Sequence, residues 1–168
     1  MRHPLDPLSA DEFRQASSIL RRDKGLSDRW RFASIELREP SKQVVHDFVP
    51  GSAVRREAIV VCWNRDDGQT YKAIVSLTDD GLVTWEHCPG IQPNITVDEW
   101  HEADVALRSH PRVIETLTRR GITETSTVVM DTWAYRGALV PQRYRDRRVG
   151  WVDVWYRSAQ GSNPYANP

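Results

Sequence analysis

No apolar run in this chain approaches the roughly 20 residues that a helix needs to cross a bilayer, so no membrane-spanning helix is expected. The first residues, Met1-Arg2-His3-Pro4-Leu5-Asp6-Pro7, contain no apolar stretch of the signal-peptide type, which makes the cytoplasm the expected location. Net charge is absent as well, because 23 basic side chains balance 23 acidic ones. Proteins that hold nucleic acid draw much of their affinity from a basic excess or a basic stripe. The only dense basic cluster, Arg143-Tyr144-Arg145-Asp146-Arg147-Arg148, reads as a solvated loop between two strands. Neither a membrane nor a nucleic acid is expected as a partner.

Cysteine is scarce. Cys62 and Cys88 could be neighbours on adjacent strands, which leaves a disulfide open, but a cytosolic setting favours two buried thiols. A nucleophilic cysteine would want a nearby histidine, and His87 is next to Cys88 in sequence. Successive strand residues point to opposite faces, so that adjacency argues against pairing. The five histidines (His3, His46, His87, His101, His110) are scattered. His101-Glu102 opens like a zinc-protease motif, yet Val105 stands where the second histidine is required. There is no phosphate-cradling glycine loop, no Gly-x-Ser-x-Gly elbow and no pair of carboxylates with distinct environments. Asn94-Ile95-Thr96 matches a glycosylation acceptor but reads as the approach to a helix cap. No catalytic residue and no metal ligand set is expected.

Tryptophan is what the chain has in quantity, with 7 among 168 residues. An indole needs a large apolar site and a partner for its N–H, so this count implies a tryptophan-rich core or a surface that packs against something else. Trp151, Asp153 and Trp155 would share one strand face, with Val152, Val154 and Tyr156 on the other. Two apolar faces predict a strand covered on both sides.

The element pattern is helix first and sheet second, twice over. Ser9 and Glu12 have capping-box spacing, apolar Phe13, Ala16, Ile19 and Leu20 follow at helical intervals, and Gly25 supplies a stop. The spacing predicts a helix over Ser9–Lys24. Four strand-like runs come next, Trp30–Leu37, Glu57–Asn64, Tyr71–Leu77 and Leu82–His87, with turn chemistry at Asn64-Arg65-Asp66-Asp67-Gly68 and Thr78-Asp79-Asp80-Gly81. Pro89-Gly90-Ile91-Gln92-Pro93-Asn94 has linker composition. Thr96 and Glu99 then repeat the capping box ahead of a helix to about Ser109, and Pro111 opens a second helix that Gly121 closes. Only two further strands are expected, Thr127–Tyr135 and Arg148–Arg157. Two strands are too few to bury the apolar faces of two helices.

Four segments together resemble a known family. They are Leu5-Asp6-Pro7-Leu8 before a capped helix, the stretch Ile95–Arg120, Gly150-Trp151-Val152-Asp153-Val154, and Asn163-Pro164-Tyr165-Ala166-Asn167-Pro168. Their order and spacing are similar to the N-terminal part of a copper amine oxidase, above all its microbial members. The resemblance implies an α+β fold of two small cystatin-like domains, residues 1–90 and 91–168, each with helix packed on antiparallel sheet and the second incomplete. It implies a separate C-terminal catalytic domain holding copper, three histidine ligands, a tyrosine-derived topaquinone and an aspartate base. The parent enzymes are homodimers that oxidise primary amines to aldehydes. This chain has no Asn-Tyr-Asp/Glu cofactor motif and no His-x-His, so this segment is expected to bind no cofactor and to be inactive alone. The resemblance gives its aromatics a use: Trp100, Tyr165, and Trp133 or its neighbour Thr132 fall on positions that line the family's substrate channel. The alternative is a free-standing cystatin-like binding module without catalysis.

Overall fold

The computed structural model describes residues 3–135, 140–145, 147–157, 159 and 161–166. Met1 and Arg2 of the leading segment, Asp146 of the basic cluster, and Asn167-Pro168 of the proline-flanked segment lie outside the described residues. The chain divides into two compact units, Met1–Pro93 and Asn94–Pro168.

The first unit begins with helix α1, Ala10–Lys24. Ser9 caps it: its hydroxyl accepts from the Glu12 N–H at 3.3 Å while the Glu12 carboxylate accepts from the Ser9 N–H at 2.8 Å, satisfying two donors that a helix start leaves open. Gly25 ends it with φ +64, a left-handed conformation that side chains rarely adopt. Strands β1 (Trp30–Leu37), β2 (Glu57–Asn64), β3 (Thr70–Ser76) and β4 (Gly81–His87) form an antiparallel meander in chain order. Ala16, Ile19 and Leu20, spaced by three and four residues, put one stripe of α1 against Ala58, Val60 and Cys62 of β2 and Ala73 and Val75 of β3. Burial pushes the Cys62 thiol up to about 12, so it stays protonated and serves as a small apolar core residue. Cys88 is half-buried and, like Cys62, a free thiol.

Three features of this unit go beyond the sequence reading. Phe13 is 41% exposed while Glu12 beside it is 8% exposed. The reason is Arg56, whose guanidinium reaches Glu12 at 3.0 Å and 3.2 Å and turns that face of the helix inward at the carboxylate. The simple alternation of β1 is broken by a bulge between Phe32 and Ser34, which brings Phe32 and Ile35 together against the core. A short helix α2, Lys42–His46, caps on Ser41 and buries none of its residues. Its shortness leaves no apolar period for a sequence pattern to show.

The second unit holds α3 (Val97–Ser109), α4 (Pro111–Arg119), β5 (Val128–Ala134) and β6 (Gly150–Tyr156). Thr96 and Glu99 form the second capping box, with Thr96 Oγ1 accepting from the Glu99 N–H at 3.3 Å. Strands β5 and β6 pair antiparallel as a two-stranded sheet. The buried core is small: Leu117, Val128 and Met130, with Leu107, Val113, Ile122 and Val152 packed against it. Arg108 ties α3 to the start of β5 by donating to Asp104 at 2.8 Å and to the carbonyls of Thr125 and Val128. The expectation that the last strand is covered on both sides is overturned among the described residues. Trp151, Val154 and Tyr156 are all exposed, because the sheet has no third strand beside β6 and the helices reach only part of one face.

Candidate functional site

The ladder of β5 and β6 decides which side chains meet. Val129 lies opposite Trp155, Asp131 opposite Asp153, and Trp133 opposite Trp151. Residues two apart share a face, so these six form one outer surface, while Val128, Met130 and Thr132 point to the helices. Trp133 and Trp151 are 56% and 54% exposed, a large apolar area to leave in water.

Trp100 reaches this region from the first turns of α3. It lines a cavity of about 440 Å³ together with Asn94, Ile95, Thr96, Val97 and β5 residues Asp131–Ala134. Trp133 and Thr132, the two alternatives for one channel position, both line that cavity, Trp133 from the outer face and Thr132 from the inner. A second recess of about 430 Å³ is lined by Trp133, Ala134, Tyr135, Trp151 and Asp153. Tyr165 sits in a 3₁₀ turn, Pro164–Ala166; its hydroxyl donates to Asp131 Oδ2 at 3.2 Å and its ring meets Trp155 edge to face at 5.0 Å. The structure thus gathers all of the sequence-derived residues, Trp100, Trp133, Thr132 and Tyr165, around Asp131.

The electrostatics are acidic. The hydrogen bond to Asp131, then the charge of that carboxylate, then burial, then the charge of Asp153 raise the Tyr165 hydroxyl above its ordinary range, so it remains a neutral donor. Asp153 Oδ1 accepts from the Trp151 indole N–H at 2.7 Å.

The sequence reading missed this carboxylate pair, since Asp131 and Asp153 are far apart in the chain. The matching alternations Val129-Asp131-Trp133 and Trp151-Asp153-Trp155 were a usable signal, but only once strand register was known.

An ion pair fixes the wall from behind. Arg148 donates to Glu99 at 2.7 Å and 2.9 Å and to the Asn94 carbonyl at 2.9 Å, joining the residues before β6 to the start of α3 next to Trp100. Burial pushes the Glu99 carboxyl up, but hydrogen bonds from Arg148 and the Thr96 backbone outweigh it and leave the group below its ordinary value of 4.5. A carboxylate depressed on folding adds stability above its unfolded value and loses that contribution as pH falls through the folded value. The second unit is therefore expected to weaken as pH drops below 4.5. Glu99→Gln should cost about 1–3 kcal/mol at neutral pH and flatten the acid limb. Urea unfolding at a series of pH values checks this, and an unchanged acid limb in the variant would exclude Glu99 as its source.

Comparison with known proteins adds the family. Residues 9–84 match the AGAO-like N2 domain. The chain is 36% identical over 169 residues to a primary amine oxidase of Arthrobacter sp. (strain P1), covering 99% of this chain and 25% of that protein. It is 30% identical to copper amine oxidase 1 of Schizosaccharomyces pombe, covering 98% of this chain and 24% of that one. The crystal structure of a copper-containing benzylamine oxidase from Hansenula polymorpha has the same fold, with a TM-score of 0.70 at 20% identity over 99% of this chain and 27% of that chain. The chain spans about a quarter of the length of the curated relatives it matches.

Proposed function

The chain has the N-terminal region of a copper amine oxidase, and on that premise we propose that it forms a wall of the substrate channel in a copper-dependent primary amine oxidase. That enzyme class turns a primary amine, dioxygen and water into an aldehyde, ammonia and hydrogen peroxide. The observation that supports the reading is that Trp100 and Trp133 line one recess with Asp131, while Tyr165 donates its hydroxyl to the same Asp131. Aromatic faces exclude water and attract an ammonium ion, by about 0.5–2 kcal/mol per ring. These residues guide amine; they do not oxidise it. Among the described residues no group of three or more His, Cys, Asp or Glu side chains could hold a metal ion. In this proposal copper and topaquinone belong to a separate catalytic domain, and the working assembly is a homodimer.

The purified chain is expected to bind no stoichiometric copper and to make no peroxide from benzylamine or tyramine. Copper titration with a peroxide assay tests this, and turnover above a boiled control would overturn it. The DNA beyond the codon for Pro168 gives a second test. An open frame encoding Asn-Tyr-Asp/Glu and His-x-His supports the proposal; a stop followed by unrelated sequence favours a free-standing binding module. With the catalytic domain attached, Trp100→Ala and Tyr165→Ala are each expected to change kcat/KM for bulky amines by about 10-fold, the scale of a single lost ring contact. Unchanged kcat/KM in both would remove the channel role.

A further inference from the structure

One flank of α4 is built from two ridges. Arg112, Thr116 and Arg120 recur every four residues, and Val113 and Leu117 recur at the same interval beside them. Side chains four apart share a helical face, so a charged ridge runs next to an apolar one. Leu117 is buried against Val128 and Met130, and Val113 packs on the same cluster, which turns the apolar ridge toward the sheet. The charged ridge is left at the rim. Leu107 and His110 join from the end of α3, and Val154 from β6. Val154 lies on the strand face that Val152 presents to the helices, yet it is 48% exposed. Together these residues line a recess of about 500 Å³, room for a small molecule.

The recess has an apolar floor and a rim of one sign. Leu107, Val113, Leu117 and Val154 form the floor, while His110, Arg112 and Arg120 are the ionisable lining residues. No carboxylate lines it among the described residues, and Glu115, the one acidic residue of α4, is not at the recess. Arg112 and Arg120 stand roughly 12 Å apart along the helix axis, within reach of one small anion for two long side chains. Among the described residues neither guanidinium, nor the His110 ring, has a hydrogen bond or an ion pair. Arg108 and Arg148 of the same unit are paired, with Asp104 at 2.8 Å and with Glu99 at 2.7 Å. No side chain caps α4, so the positive end of its dipole adds to His110 and Arg112 at one end of the recess.

We infer that this recess binds a small organic carboxylate with an apolar tail, its head group held by Arg112, Arg120 and His110 and its tail lying on Val113, Leu117 and Val154. A guanidinium matches a carboxylate through paired N–H donors, and charge makes such bonds stronger than neutral ones. An inorganic anion would leave the floor in water, and a neutral chain would leave the arginines unpaired. A cation, metallic or organic, is repelled by the rim. The recess lies on the helix side of the β5–β6 sheet, whereas Trp133 and Trp151 lie on the outer side. The inference therefore goes beyond the channel reading and does not rest on it.

The test is a titration of the 168-residue chain with octanoate, followed on the methyl signals of Val113, Leu117 and Val154 by nuclear magnetic resonance. Octan-1-ol is the neutral counterpart and inorganic phosphate the anion without a tail. Saturable shifts are expected at about millimolar octanoate, the range open to a shallow site with two exposed ion pairs. From butanoate to octanoate, binding should tighten by about 4-fold for each methylene that the floor takes up. Arg112→Gln and Arg120→Gln should each weaken octanoate binding about 3-fold and together about 10-fold, with the response to octan-1-ol unmoved. Both side chains are exposed, so the fold is retained. Val154→Thr keeps the β-branched shape but sets a hydroxyl on the floor, and should also weaken octanoate binding. Equal binding by the double arginine variant, equal affinity for octan-1-ol, or phosphate or butanoate bound as tightly as octanoate would each overturn the proposal. The Trp100 and Tyr165 variants, read as kcat/KM, remain the separate test of the channel.

Discussion

Replacing Arg56 by methionine is expected to destabilise the first unit by about 3–5 kcal/mol, a large part of the roughly 5–15 kcal/mol that holds an ordinary domain together. Arg56 is 8% exposed and carries its whole guanidinium inside the protein. Besides Glu12 it donates to the carbonyls of Asp6 at 2.8 Å, Pro7 at 3.3 Å and Pro4 at 3.4 Å. One side chain thus fastens the segment Pro4–Pro7, the start of α1 and the entry to β2. Methionine would fill much of the space but leave the Glu12 carboxylate buried without its cation and the carbonyls without their donor. An unpartnered buried charge costs more than the pair itself contributes, which is why removing one member is severe. The double change Arg56→Met with Glu12→Leu should recover part of the loss, limited by the capping bond that Glu12 accepts from the Ser9 N–H. Urea unfolding followed by tryptophan fluorescence measures both. A loss below about 1 kcal/mol in the single variant would show that the pair is solvated in solution, as exposed pairs are.

Arg56 also marks where sequence reading stops. Both capping boxes were legible, because Ser9–Glu12 and Thr96–Glu99 act through a fixed local spacing. Gly25 and Gly121 were legible as stops, and both take positive φ. The meander was legible from its turns. A link such as Arg56 to Glu12, 44 residues apart, has no local signature. An arginine before a strand reads as surface until the fold brings carbonyls around it, and the inward turn of Glu12 followed from the same contact. The site shows the same division. Trp100, Trp133 and Tyr165 were found through family resemblance, whereas Asp131 and Asp153 became a pair only through the register of β5 on β6. The exposure of the last strand was missed because alternation tells which residues share a face; it does not tell what covers that face.

The second large effect is expected at Met130, which is 1% exposed on the inner face of β5 and packs with Leu117 and Val128. Met130→Ala removes several buried heavy atoms from a core whose fully or nearly buried apolar cluster has few other members, and such truncations cost about 2–5 kcal/mol. In a large core neighbours can close part of the cavity. Here the sheet has two strands and α3 contributes no buried residue, so there is little to move inward. A unit of this size holds only a few kcal/mol in reserve, so the variant is expected to populate an open second unit under native conditions. Hydrogen exchange read on the amides of α3, α4 and β5 should then rise by about 30-fold or more, the ratio that 2 kcal/mol sets. Asp131 is the next residue along the strand and points the opposite way. Loss of β5–β6 pairing would separate it from Asp153 and Trp133 from Trp151. Met130→Leu, which keeps the volume, should restore that protection, at a residual cost below about 1.5 kcal/mol. Protection that survives Met130→Ala unchanged would mean that the second unit is held by something other than the Leu117–Val128–Met130 cluster.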